Sequence, residues 1–422
     1  MNGFLTSVVI ILSLIVLIGY FNEKVTKFTY EIALMLFSIV IGIVIMVINI
    51  LIKGPQTVME DLSFLQVFNI QEFLMEGVLC FMLFAGSCHM RLLDFKKHAR
   101  PVSLLAIVAT LLGALFYGLL FFAAGKLFRL NLSLPVCLMF GSIIAPTDPI
   151  AATSILKKFN LPPNISFIIE GESLLNDGVG VALFVCFSGM VTAQNNGGVI
   201  SIMLKELLGA ILVGIIVTAI CFPLFKRTRD STRQIFISLL AVSIAYIACE
   251  YFGFSGAIAC VVCGILFSAL RNYEESKGRN IELQQFDTFW EIADTLLNSI
   301  LYVLLGLSFI HILKMPHTLL LSLIAIVINF ISRAGSVSLS SLCMGKLPDG
   351  YDKFNFIKLL TWGGLRGGLS VALAMSTESM VSQETYYIIL GGVYAIVCFT
   401  TIVQGMTMKK VYLGIERSVN DK

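Results

Sequence analysis

The chain has 422 residues, 57% of them hydrophobic and only 13% charged, with a mean hydropathy of +0.92. Soluble domains carry about 45–50% apolar and about 25% charged residues. A chain this poor in charge has lipid as its outer solvent, which excludes a cytosolic enzyme, a secreted disulfide scaffold and, with a net charge of +3, a nucleic-acid binder.

A helix that crosses a bilayer needs about 20 predominantly apolar residues. Apolar runs fall near residues 4–20, 31–52, 73–90, 102–124, 132–156, 165–189, 206–225, 235–251, 254–270, 287–310, 318–344, 356–377 and 385–408, thirteen in all. Backbone groups find no water in lipid, so an all-α polytopic bundle follows. The first run, Leu5 to Tyr20, has no basic residue before it and no small-residue cleavage site after it. It reads as a retained span and not as a signal peptide. The connections are short, which predicts one transmembrane domain over 1–409 and a cytoplasmic tail over 410–422.

Thirteen spans place the termini on opposite sides. With the N-terminus outside, 22 of the 29 Lys and Arg residues fall on the inner side, including the stretches Arg91–Arg100 and Lys226–Arg233. Five fall outside (Lys53, Lys126, Arg129, Lys205 and Lys314), and Arg333 and Arg366 lie within spans. The positive-inside rule therefore puts the N-terminus outside and the C-terminus in the cytoplasm of a cell membrane.

Most of the ten cysteines sit inside apolar runs, where cysteine acts as a small hydrophobe. Cys260 and Cys263 have redox-motif spacing but a membrane-helix context. His89, His98, His311 and His317 show no metal-ligand spacing. No cofactor is expected.

Ionisable residues within a span cost about 2.5–3.5 kcal/mol each on insertion scales, so each needs a partner or a purpose. The fifth span reads Ala-Pro-Thr-Asp-Pro over 145–149. Its prolines lack an N–H and clash with the carbonyls four residues back, of Ser142 and Ala145, so the helix is predicted to open around Thr147–Asp148. The sixth span carries Glu172, Ser173, Asn176 and Asp177. The pairs Ser173/Asp177 and Glu172/Asn176, spaced i, i+4, make two adjacent polar faces. Arg333 in the eleventh span and Arg366 in the twelfth cannot deprotonate, so each requires an anion or freed carbonyls. Glu172 is the natural ion-pair partner of Arg333. Gly363, Gly364, Gly367 and Gly368 around Arg366 point to a second interrupted helix.

The two breaks lie seven spans apart. Two six-span units, about 1–190 and 235–409, would place each break at the fifth position, in opposite orientations. Broken helices at corresponding positions of inverted repeats mark a transporter's midplane site.

Together Ala-Pro-Thr-Asp-Pro (145–149), Glu-Gly-Glu-Ser-Leu-Leu-Asn-Asp-Gly (170–178), Ser-Arg-Ala (332–334) and Gly-Gly-Leu-Arg-Gly (363–367) resemble the cation:proton antiporter family, in its sodium/proton exchanger branch of the NhaP type. The resemblance implies a homodimer whose core moves against a dimerisation domain in an elevator-like motion. It implies a cation held by the Asp177 carboxylate, by Asp148 or a water on it, by the Ser173 hydroxyl and by the Thr147 carbonyl, with Asn176 also expected in the cation site. The Asn176–Asp177 pair goes with electroneutral exchange, and Arg333 is expected to pair with Glu172. Regulation by calcium-binding partners or kinases, a property of the long tails of animal exchangers, is not implied.

One site suffices for the mechanism. Removal from water favours a protonated carboxylate, whereas a bound cation favours the ionised one. Asp177 can then hold a proton or a monovalent cation, most simply sodium, with lithium or potassium as alternatives. Asn176 adds no second titrating group, so one-for-one exchange moves no net charge, and ion gradients drive it at about 1.4 kcal/mol per tenfold ratio. Glu76, Glu291 and Asp294 read as interfacial, with Glu76 or Asp294 able to line an approach route. A cation channel could use the same carboxylates, and two membrane carboxylates could serve an intramembrane aspartyl protease. The first suits inverted broken helices poorly, and the second lacks its Gly-x-Gly-Asp pattern.

Overall fold

The computed structural model describes residues 3–53, 73–90, 92–148, 161–192, 199–228, 230–277, 284–309, 318–345, 347 and 352–420. Among these every regular element is a helix. The first half contains α1 (Gly3–Phe21), α2 (Tyr30–Lys53), α3 (Leu79–Cys88), α4 (Leu92–Ser103), α5 (Thr110–Leu127), α6 (Leu134–Ile144) and α7 (Pro163–Val191). The second half contains α8 (Val199–Arg227), α9 (Ser231–Phe252), α10 (Gly256–Ser276), α11 (Gln284–Ser308) and α12 (Thr318–Leu342). It closes with α13 (Lys353–Trp362), α14 (Gly368–Met375), α15 (Gln383–Cys398) and α16 (Gly405–Asn420).

Ten helical stretches among the described residues are long and apolar enough to cross a membrane, and α3 and α6 are shorter apolar helices. Local chemistry sets the ends. The Asp230 carboxylate accepts from the Thr232 N–H at 3.0 Å to start α9, and Asp352 accepts from the Asn355 N–H at 3.2 Å to start α13. Gly253, at φ +66°, ends α9 in the left-handed region that suits glycine.

Two expectations shift. The basic stretch through Lys96, Lys97 and Arg100, read as a connection, is the helix α4, which continues through a π-helical turn at Leu104–Ala109 into α5. It is amphipathic, burying His98 and Val102 and exposing Lys96 and Lys97. The predicted tail from 410 is likewise helical as far as Asn420. A further π-helical turn, Phe399–Gln404, interrupts the last span.

The helices pack as two groups. In the first, α11 lies on α1, α2, α3 and α9, and α10 lies on α3, α8 and α9. In the second, α6 packs on α5 and α7, and α12 packs on α5, α13 and α15. Glycines allow the tightest crossings. A Cβ on Gly141 would stand 2.1 Å from the Ala114 carbonyl oxygen, so α5 and α6 touch backbone to backbone.

Candidate functional site: a crossing of two interrupted helices

Helix α6 stops at Ile144, and Ala145 to Asp148 leave the helical path, as the prolines predict. Pro149 and the remainder of that expected span lie outside the described residues. In the twelfth span α13 stops at Trp362 and α14 begins at Gly368, with Gly363–Gly367 between them. The two interruptions meet. The Asp148 N–H donates to the Leu365 carbonyl at 2.8 Å. One Arg366 nitrogen donates to the carbonyls of Ala145 (2.7 Å) and Pro146 (2.8 Å), and another donates to Asn329 Oδ1 at 3.1 Å. Arg366 thus finds the freed carbonyls that a buried arginine requires. Its own backbone is held by two hydroxyls on the π-helical turn. The Arg366 N–H donates to Thr400 Oγ1 at 3.1 Å, and Thr401 Oγ1 donates to the Arg366 carbonyl at 3.3 Å.

Helix α7 passes beside this crossing, and Gly180 permits the approach: a Cβ there would be 2.1 Å from Pro146 Cγ. Two polar residues of α7, Ser173 and Asn176, then engage the break. Thr147 Oγ1 and Ser173 Oγ share a hydrogen bond of 2.8 Å. Asn176 Nδ2 donates to Thr147 Oγ1 (2.7 Å) and to Glu172 Oε1 (3.1 Å), while its Oδ1 accepts from the Thr147 N–H at 3.3 Å. Both ends of the Asn176 amide are therefore engaged in bracing Thr147. Arg333 meets Glu172 in a two-pronged pair, at 2.9 and 3.1 Å, with both side chains buried. A bidentate charge-assisted pair of this kind is the strong form of the interaction. Gly364 lies against the Arg333 side chain, where a Cβ would come within 2.9 Å of Nε.

Asp177, one residue beyond the brace, is 8% exposed. It lines a cavity of about 370 Å³ together with Thr147, Asp148, Glu170 and His89, and with Glu291 and Asp294 of α11. Asp148 also accepts a hydrogen bond from the Tyr302 hydroxyl. The carboxylates of Asp148, Glu170, Asp177, Glu291 and Asp294 therefore share one cavity. The position is suited to a small hard cation, for which carboxylate, hydroxyl and carbonyl oxygens are the fitting ligands. Among the described residues no group of three or more His, Cys, Asp or Glu side chains is arranged to hold a metal ion.

The structure thus gathers Thr147, Asp148, Ser173, Asn176 and Asp177 in one place and joins Glu172 to Arg333. Of the residues read as interfacial, Glu291 and Asp294 line the cavity, and the side chain of Glu76 lies outside the described residues. Sequence reasoning missed Tyr302, Asn329, Thr400 and Thr401. No local pattern marks them, since each acts on a residue distant in the chain.

The chain matches the transmembrane sodium/hydrogen exchanger family over residues 10–413. The chain belongs to that family. It is 27% identical to the Na(+)/H(+) antiporter NhaP of Pseudomonas aeruginosa over 416 residues, 96% of each chain. It is 32% identical to the Na(+)/H(+) antiporter NhaH of Halobacillus aidingensis over 316 residues, 73% of this chain and 74% of the relative. The sodium proton antiporter MjNhaP1 of Methanocaldococcus jannaschii, solved at pH 8, shares the fold with a TM-score of 0.76 at 19% identity, covering 98% of this chain and 99% of that one. The exchanger is accordingly a transporter of the multi-pass, all-helical class, not an enzyme, and its transported ions are substrates and not cofactors.

Proposed function

We propose that the protein is a secondary antiporter that exchanges sodium for protons across a cell membrane, with both competing for Asp177. The observation that carries this reading is the position of Asp177 and Asp148, at the crossing of two interrupted helices and at the head of an acidic cavity. Alternating access then needs only the rule that the crossing moves when Asp177 is neutralised, by a proton or by a cation. Asp148, the Ser173 hydroxyl and the Thr147 carbonyl are the further ligands in this reading, and Asn176 holds Thr147 in place.

Exchange is one for one and electroneutral. Glu172, at the brace on α7, is already neutralised by Arg333, and Asn176 contributes no charge. The bundle has thirteen spans in two inverted repeats, functions as a homodimer, and has its N-terminus outside and C-terminus inside, so the acidic cavity faces the cytoplasm. The deciding experiment is proton efflux from acid-loaded vesicles containing the purified exchanger, with sodium, lithium and potassium added in turn at clamped voltage. The expected result is a sodium response that does not change with voltage. A response that scales with voltage would mean unequal stoichiometry, and single-channel currents would mean a channel.

A further inference from the structure

Asp148 is held by the first group of helices as well as by its own. Tyr302 lies in α11, which packs on α1, α2, α3 and α9, whereas Asp148 follows α6 in the second group. The Tyr302 side chain is fully buried and its hydroxyl donates to Asp148 Oδ2. On the other side the same oxygen abuts Gly367: a Cβ there would fall 2.5 Å from Oδ2 and 2.9 Å from the Asp148 Cβ and Cγ. Gly367 has φ −122°, a backbone conformation open to any residue, so its lack of a side chain serves space and not backbone freedom. The Asp148 N–H is fixed on Leu365. Backbone and one carboxylate oxygen are thus both anchored, which sets the direction of the rest of the carboxyl group.

We propose that Tyr302 and Gly367 form a seat for Asp148 Oδ2, and that Tyr302 is a positioning residue that aims the Asp148 carboxylate at the transported cation. A carboxylate has about four lone-pair sites, so a hydrogen bond from Tyr302 and a cation contact can coexist on it. The seat therefore orients the ligand without competing for it. Nothing in the apolar run Leu301-Tyr302-Val303-Leu304 announces this role. The inference rests on the reading of Asp148 as part of the cation site.

The test is Tyr302→Phe, which removes the hydroxyl and keeps the ring. In the vesicle assay KM for sodium should rise about tenfold, the size expected of one hydrogen bond to a charged group. The rate at saturating sodium should remain within about twofold of wild type, because only binding of the cation has been loosened. A merely structural role would lower the rate and leave KM alone. Sodium-dependent thermal stabilisation of the detergent-purified protein gives a second reading. Relative to Asp148→Ala, the double variant with Tyr302→Phe should show no further loss of sodium affinity, since the partner is already gone. Additive losses, or an unchanged KM in Tyr302→Phe, would overturn the proposal. Should Tyr302→Phe fail to accumulate, Gly367→Ala displaces the same oxygen from the opposite side and must raise KM in the same way. A wild-type protein without sodium-driven proton movement would instead defeat the proposed function itself.

Discussion

At the scale of single residues, Asp177 and Arg333 make opposite demands. Asp177→Asn removes the group that exchanges a proton for a cation and leaves the Thr147–Asn176–Glu172 brace untouched. Exchange should fall to background, with the amount of folded protein and its thermal midpoint unchanged. An active Asp177→Asn variant would refute the central role. Arg333→Ala strands the buried Glu172 carboxylate, and breaking a buried pair costs about 3–5 kcal/mol. Its main effect should be a loss of folded protein, read by size-exclusion yield and by a lowered thermal midpoint. A stable, abundant but inactive Arg333→Ala protein would move the arginine from structure to transport. Both residues were legible in the sequence, because a charge inside an apolar run must be explained. Tyr302 was not, because a tyrosine in a membrane helix is unremarkable until its hydroxyl is found on Asp148, 154 positions away.

At the scale of elements, the crossing depends on helices that approach without side chains between them. Gly141→Ala would drive a methyl group to 2.1 Å from the Ala114 carbonyl oxygen and force α5 from α6. Overpacking costs about 1–3 kcal/mol and more where backbone must move. Gly345→Ala meets nothing within 4 Å and serves as the control. The thermal midpoint should fall in the first variant and hold in the second. The existence of both helix breaks could be read from Pro146 and from the glycines around Arg366, since those are local rules of backbone chemistry. The meeting of the breaks could not, because the Arg366 contact to Ala145 spans 221 positions and no spacing rule covers it. The π-helical turn at Phe399–Gln404 also escaped, although it supplies both hydroxyls that hold the Arg366 backbone. Such turns recur at functional sites but have no compositional signature as strong as proline.

At the scale of the whole molecule, orientation is open to a direct chemical test. Cys343 is exposed, whereas Cys80, Cys88, Cys137, Cys186, Cys221, Cys249, Cys260 and Cys263 are buried and Cys398 is partly so. The proposed topology puts Cys343 at the cytoplasmic end of α12. A membrane-impermeant maleimide should therefore label the protein in inside-out vesicles and leave it unlabelled in intact cells. Cys343→Ser should abolish the signal. Labelling of intact cells would reverse the topology. The Lys and Arg bias carried this expectation from the sequence, because insertion reads charge near the span ends.

The bonds that tie the two interruptions together run both ways. Arg366 grips the carbonyls of Ala145 and Pro146, and the Asp148 N–H grips Leu365. Neither break can shift without taking the other with it. A push applied at one interruption is therefore delivered to the other, and the pair answers as one part.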